Sequence, residues 1–499
     1  MNSGPRALPK GQTIIAILFL LSALSSGAET SFVVRRLSLK ECIRIALEHN
    51  LDVKVESFTP EIASYNLSLA SAYYEPVFGG SGIHRYGTEH AAVDSTNRVG
   101  ITTKSDDFAA GITGALPTGL SYELGGDVSS TRTDNFSGQS SLGSASIVLR
   151  QPLLKNLWVD AARLNIQVSK KLLSISRLSL RQQIMNTVTS VELAYYDLKQ
   201  ARENVRVQER ALNLAKELLS ANQQRVAEGV LAPLDEKQTE SQVASQRAIL
   251  LVAQRLLASQ QNVLKGLLSD DMSKWKDALV EPTDDMTARP SDLDRQSSWQ
   301  KGLTLRPDLL QARLDIERLG YVLKYNHNQL YPQLDLVGSY GFSGAERERG
   351  GVFGDIRRGE NPSYSYGVVV SIPLGNSAAR SSYKITKTEQ QQALIGLQRL
   401  EQNIMLQIDD TVKLAQTNFE RVSATKEARQ FAEAALDAEQ AKLENGKSTT
   451  FFVLQFQRDL TATRSAEIQA LADYNKALAL LAQREGSVFE RNNLNLKIK

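Results

Sequence analysis

From Leu153 to Glu228 the chain holds neither glycine nor proline. Within that run, apolar residues recur at Ile184, Val188, Val191, Tyr195, Leu198, Val205, Leu212, Ala215, Leu219 and Val226, in steps of 3, 4 and 7. This heptad spacing predicts long helices packed side by side as coiled coils. Gly229 reads as a helix C-cap, because glycine takes the left-handed conformation at little steric cost. After the turn Gly229-Val230-Leu231-Ala232-Pro233, a second helical run continues to about Leu268. The pattern therefore predicts a helical hairpin over 155–268 with its tip near 229–234. At 1.5 Å per residue, about 65 helical residues span roughly 100 Å, longer than an ordinary globular core.

The hairpin pattern returns 217 residues later. Ala161-Ala162-Arg163 reappears as Ala378-Ala379-Arg380, and Gly229 as Gly446. Met405, Ile408, Val412, Ala415, Val422, Ala432, Leu436 and Leu443 continue the apolar seam. This predicts a second hairpin over 376–485 with its tip near 446–451. An earlier segment repeats at an offset of 256, where Leu47, Asp52, Pro76 and Gly82 become Leu303, Asp308, Pro332 and Gly338. The chain is thus a duplicated unit of short helices, β segment and helical hairpin, with its repeats at 29–268 and 301–486. Short helices are expected over 38–74, where Ser38 and Glu41 form a capping box, and over 301–330. The acidic stretch 269–300, with Pro282 and Pro290, links the repeats. The tail 487–499 has no clear pattern.

Between the helical parts the period changes to two. Phe108, Ala110, Ile112 and Leu116 alternate with smaller residues, as do Leu120, Tyr122, Leu124 and Val128 beyond the turn Pro117-Thr118-Gly119. Leu334, Leu336, Tyr340 and Phe342 behave likewise, as do Tyr364, Tyr366, Val368 and Val370. The β segments are placed at 77–151 and 333–373. Strands with one apolar and one small or polar face suit a transmembrane barrel or a half-buried sheet in a soluble sandwich. The polar stretches 89–106, 130–143 and 343–363 would be external loops.

The amino terminus favours the barrel. Arg6 and Lys10 precede an apolar run from Ile14 to Leu24, and small residues follow up to Ala28. Residues 1–28 therefore read as a secretory signal peptide, since the run is shorter than the roughly 20 residues a membrane span needs. Export without a helical span points to a closed barrel, the other structure that lipid tolerates. No cysteine stands at the cleavage site, so no lipid anchor is expected there.

Composition narrows the chemistry. The formal net charge of the 499 residues is +3 with no basic cluster, so no nucleic-acid partner is expected. Cys42 is the single cysteine, which rules out an intramolecular disulfide. His49, His84, His90 and His327 are scattered without zinc-site spacing. No phosphate-binding GxxxxGK[ST] run is present. No cofactor, metal or catalytic residue is expected.

These motifs resemble the TolC family of outer membrane efflux proteins. Leu37-Ser-Leu-Lys-Glu41 with Ala46-Leu-Glu-His-Asn50 is similar to the family's first helix. Leu303-Thr-Leu-Arg-Pro-Asp308 is similar to its repeat, and Leu330-Tyr-Pro332 to the proline lead into a strand. Glu228-Gly229 and Asn445-Gly446 match the glycine tips. The resemblance covers nearly all of the mature chain. It implies an α+β membrane protein, a homotrimer whose protomers share one β-barrel in outer membrane lipid, continued by a periplasmic α-helical tube. It further implies a passive duct for efflux or type I secretion, working with a periplasmic adaptor and an inner-membrane pump of RND, ABC or MFS type. Family members use four strands per protomer. This chain offers six candidates, so either the barrel is wider or the Pro117–Gly119 hairpin folds outside its wall.

At the tips the resemblance implies a periplasmic gate. Asp235, six residues past Gly229, matches a family aspartate, although an acid near a helix start is also favoured by the helix dipole alone. The family's acidic ring falls here on Phe452 and Gln455, and its basic lock position on Ser448 beside Lys447. Asp235, Lys447, Phe451, Phe452 and Gln455 are therefore the candidate gate, with Phe451 and Phe452 either constricting the mouth or packing between hairpins. Gly229, Val230, Pro233, Gly446, Ser448 and Thr449 are candidate adaptor contacts. Glu123, Asp127 and Asp335 are candidate lumen acids, conditional on strand register. Two other classes compete. A coiled-coil surface stalk or adhesin needs no hollow tube, and a secreted enzyme would need a recognisable polar site.

Overall fold

In the computed structural model the described residues are 33–92, 98–134, 139–291 and 293–494. The expected signal peptide lies outside them. No described helix is long and apolar enough to cross a membrane, which leaves open a β-barrel.

The chain divides into two units. One holds the described residues up to Leu51, Thr187–Pro290 and Thr417–Ala477, and the other Asp52–Asn186, Ser291–Gln416 and the residues from Leu478 onward. In chain order the elements are β1 (Val33–Leu37), α1 (Leu39–His49), α2 (Leu51–Ser71), β2 (Val77–Ala92), β3 (Arg98–Ala115), β4 (Ser121–Thr133), β5 (Gln139–Pro152), α3 (Ala161–Ala227), α4 (Pro233–Leu268), β6 (Ala278–Pro282), α5 (Arg295–Leu305), α6 (Pro307–Asn328), β7 (Gln333–Glu346), α7 (Arg349–Arg358), β8 (Pro362–Ser371), α8 (Ser377–Glu444), α9 (Thr450–Glu485) and α10 (Val488–Arg491).

The first unit is helical with a two-stranded sheet at one end. The heptad seam from Val188 through Ala215 is buried, and Leu219 and Val226 are half-buried. Tyr195 is fully buried, and its hydroxyl donates to the Asp284 carboxylate at 2.9 Å and accepts from the Asp284 backbone N–H at 3.1 Å. That contact ties α3 to the segment after β6. The stretch 269–300 is thus more ordered than a plain link. It contains β6, which pairs in parallel with β1 in the register Val33 to Ala278 and Leu37 to Pro282. This pairing has no local signature, because its two strands are some 245 residues apart in the chain. Cys42 is buried here, and burial pushes its thiol up to about 12.

The second unit carries one six-stranded antiparallel sheet in the order β2-β3-β4-β5-β7-β8. The Pro117–Gly119 hairpin therefore lies in the sheet: β3 pairs with both β2 and β4, and β4 with β5. Gly119 adopts φ +87° to make that turn. The external loops are shorter than their polarity suggests. β2 and β3 stay paired out to Ala92 and Arg98, because polar side chains do not interrupt a backbone ladder. Within 343–363 the chain forms α7, capped by Gly359 at φ +72°. Below the sheet, Leu309, Ile404, Ile408, Val412 and Leu481 form a buried core, with Trp299 and Leu303 packed on it. Gly302 permits that packing, since a Cβ there would meet Ile408 Cδ1 at 2.5 Å.

Candidate functional site: helical tips and sheet faces

In the first unit, both hairpins end the same way. Gly229 and Gly446 have φ +75° and +67°. The N–H of Val230 bonds the carbonyl of Arg225 at 2.8 Å, and the N–H of Lys447 bonds that of Lys442 at 2.8 Å. Each is a glycine-capped helix end, which satisfies carbonyls the helix leaves unpaired. Pro233 then opens α4 at its first turn, where a missing N–H costs nothing.

The candidate gate residues are exposed or half-buried. Asp235 lies in the first turn of α4, and Lys447 stands free on the tip. Among the described residues no ion pair within the chain joins them. Phe451 and Phe452 are 57% and 47% exposed, with their rings edge to face at 5.7 Å. The two rings do not share one role. Phe451 and Gln455 line a cleft of about 700 Å³ between α4 and α9, together with Leu234, Lys237, Leu454 and Arg458. Phe452 is outside that lining. Among the candidate adaptor contacts, Val230 is 70% exposed and Pro233 and Thr449 are exposed. Ser448 is half-buried and donates to Glu439.

That bond leads to tip residues that were not singled out from the sequence. Glu439 also accepts from Lys442 at 2.8 Å. In the other hairpin, the buried Asn222 donates to Thr239 at 2.9 Å and to Thr450 at 3.4 Å, linking α3, α4 and α9. Asn222 and Glu439 are 217 residues apart, the offset of the repeat. Each is a buried polar residue inside an otherwise apolar seam, seven residues before its glycine. Comparing the polar positions of the two repeats, and not only the apolar ones, exposes this signal.

The Glu439 carboxyl is held below the ordinary value of 4.5, first by the hydrogen bond from Lys442 and then by that from Ser448. A lowered folded-state value means that the contribution is present above the ordinary value and is lost as pH falls through the folded one. The protection of the Lys447 amide relative to its intrinsic exchange rate is therefore expected to be steady above pH 4.5 and to fall progressively below it. Glu439→Gln should abolish that pH dependence, and an unchanged profile in the variant would show that another group is responsible.

In the second unit, register assigns the two sheet faces. Glu123 stands opposite Thr113 and Val148, Asp127 opposite Ala109 and Ser144, and Asp335 opposite Pro152 and Val369. All three acids share a face with Gly79, Ser81, Gly111, Ser146 and Ser339, which is small and polar. The other face carries Phe78, Ile112, Leu124, Ile147, Tyr340 and Tyr364 in one cross-strand row. The three acids differ in state. Glu123 is exposed. Asp127 accepts from Ser144 at 2.6 Å. Asp335 is 3% exposed, pairs with Arg150 at 3.4 Å and accepts from Gln333 at 2.7 Å, so its charge is absorbed in the wall. Asp107, bonded to Arg85 and Ser129, is a further acid on the polar face. Its period-two neighbours Ser105 and Ala109 carry too little contrast to mark a strand face.

The family model of outer membrane efflux proteins matches residues 43–269 and 299–487. The chain belongs to this family. The efflux protein is 24% identical over 337 residues to the outer membrane efflux protein BepC of Brucella suis, an alignment covering 66% of this chain and 69% of that one. It is 24% identical over 177 residues to nodulation protein T of Rhizobium leguminosarum, covering 35% and 37%. In fold it resembles the Campylobacter jejuni CmeC outer membrane channel (TM-score 0.69, 16% identity, 92% and 90% of the chains) and the Vibrio cholerae outer membrane protein VceC (0.67, 18%, 90% and 96%). The efflux protein is therefore an outer membrane channel with the α+β fold of this family, in which a trimeric β-barrel is continued by a periplasmic helical tunnel. Membership decides for the channel over the surface stalk.

Proposed function

We propose that this efflux protein is the passive outer membrane duct of a tripartite assembly. A periplasmic adaptor engages its helical tips, and a separate inner-membrane pump of RND, ABC or MFS type supplies the energy. The duct performs no chemistry of its own. The observation that carries this reading is the set of exposed apolar residues Val230, Leu234, Phe451 and Phe452 beside two glycine-capped turns. Exposed large apolar side chains on neighbouring turns mark an interaction surface. Gly229, Val230, Pro233, Gly446, Ser448 and Thr449 supply the adaptor contacts. Asp235 of one protomer and Lys447 of the next restrain the closed mouth, and Phe452, free of the α4–α9 cleft, narrows it. An exposed ion pair is worth about 0–1 kcal/mol, so adaptor binding suffices to release it. Glu123 and Asp127 bias the lumen towards cations, whereas Asp335 serves the wall.

The barrel of this protein is wider than the four-stranded-protomer pattern of its family. Three copies of a six-stranded sheet close at the β2 and β8 edges into 18 strands, and barrels of 16–18 strands leave an aqueous channel. Electron microscopy of detergent-extracted trimers tests both levels. Eighteen strands above a threefold tube are expected, while 12 strands with an external hairpin would remove the wide barrel. Single-channel recording tests the gate. Phe452→Ala should raise closed-state conductance, and unchanged conductance in an intact trimer would eliminate Phe452 as the constriction.

A further inference from the structure

α7 lies on the apolar face of the sheet, at the end away from the Pro117–Gly119 turn. Val352 is fully buried against Gly143 and Gly344, two glycines paired across β5 and β7. Between this helix and the apolar row of Phe78, Leu124 and Tyr340 the sheet is hollowed. Gly80, Ala110, Gly126 and Ala145 form one cross-strand row of the smallest side chains. The resulting slot has a volume of about 510 Å³ and is walled by Phe108 and Val128 on the sheet and by Phe353 and Ile356 on α7. At its outer end Arg349 stacks on Phe108 at 5.3 Å and pairs with Asp106.

We propose that this slot holds one acyl chain of a lipopolysaccharide molecule of the outer leaflet. The inference rests on the outer membrane barrel established above. A slot on that barrel's apolar face is continuous with the band that meets hydrocarbon, so its occupant comes from the membrane. α7 belongs to the connection between β7 and β8 at the end opposite the periplasmic turn, which sets the slot at the outer leaflet. The helix itself is interfacial in character. Phe353 is 60% exposed, whereas Arg347, Arg357 and Arg358 are exposed around the helix ends, the arrangement by which amphipathic helices lie at a headgroup boundary. The glycine and alanine floor leaves room for a straight chain to lie across the strands. The small-residue row thus trades cross-strand packing, the usual stabiliser of a sheet, for space that lipid fills.

The test is native mass spectrometry of full-length mature trimers extracted from outer membranes, delipidated and titrated with purified rough-type lipopolysaccharide. Saturable binding of up to three molecules per trimer is expected. Ala145→Trp fills the slot and should weaken binding at least about tenfold, which is about 1.4 kcal/mol. Ile147→Trp, on the same face outside the slot, should leave it unchanged. If Ala145→Trp fails to assemble, the double variant Phe353→Ala/Ile356→Ala removes the helix wall and should show the same loss. Equal binding by wild type and slot variants would overturn the proposal. Displacement of lipopolysaccharide by phosphatidylethanolamine at equal concentration would assign the slot to a phospholipid and overturn it too. Recovery of wild-type trimers from the outer membrane tests the barrel separately, so the two failures are distinct.

Discussion

Leu309→Ala is expected to destabilise the protein by about 2–5 kcal/mol, the range for removing a buried aliphatic side chain and leaving a cavity. Leu309 is fully buried in the cluster with Ile404, Ile408, Val412 and Leu481, which joins α6 to the first half of α8 and the end of α9. The upper part of that range applies, because the site cannot collapse. Gly302 already lets α5 approach Ile408 as closely as an absent Cβ allows, and the Trp299 indole N–H is fixed on the Met405 carbonyl at 3.2 Å. The measurement is the temperature at which detergent-solubilised trimers dissociate, compared with Leu303→Ala at the cluster's edge. A drop no larger than that of the edge variant would mean that the cluster does not hold the trimer-competent fold.

Arg150→Ala carries the second large effect, about 1–3 kcal/mol, since it leaves a buried acceptor without its partner while the half-exposed guanidinium keeps the pair partly screened. Asp335 is the buried member, and the exposed flank of Arg150 places the expected loss below that of a fully buried pair. The position matters as much as the energy. β5 ends the first repeat's strands and β7 begins the second's, so Arg150 and Asp335 join the two repeats within one sheet. Arg150→Ala/Asp335→Asn should recover most of the loss, because a neutral amide still accepts from Gln333 and leaves no buried charge. If the double variant is as unstable as the single one, the pair's role is packing and not charge.

The long helices, their tips and the two-faced strands were legible in the sequence because each is written in a local period. Heptads recur every few residues, a glycine marks each cap, and alternation assigns strand faces without knowledge of their neighbours. Duplication strengthened every one of these signals by showing it twice. The candidate lumen acids fell on one face for the same reason, since parity along a strand survives whatever the strand pairs with.

Tertiary structure alone decided the rest. The parallel pairing of β1 with β6, the place of the Pro117–Gly119 hairpin inside the six-stranded sheet, and the seating of α7 on its apolar face all depend on contacts between segments far apart in the chain. Local polarity misplaced the strand ends near Ala92 and Arg98 for a related reason. Backbone hydrogen bonds hold a strand whatever the polarity of its side chains. The same limit governed the site. Asp335 and Glu123 look alike as strand acids, yet Arg150 and Gln333 surround one and leave the other exposed. Asn222 and Glu439 look like polar interruptions of a seam until the fold shows the hydroxyls they hold. A period reports which way a side chain faces, and only packing reports what it meets.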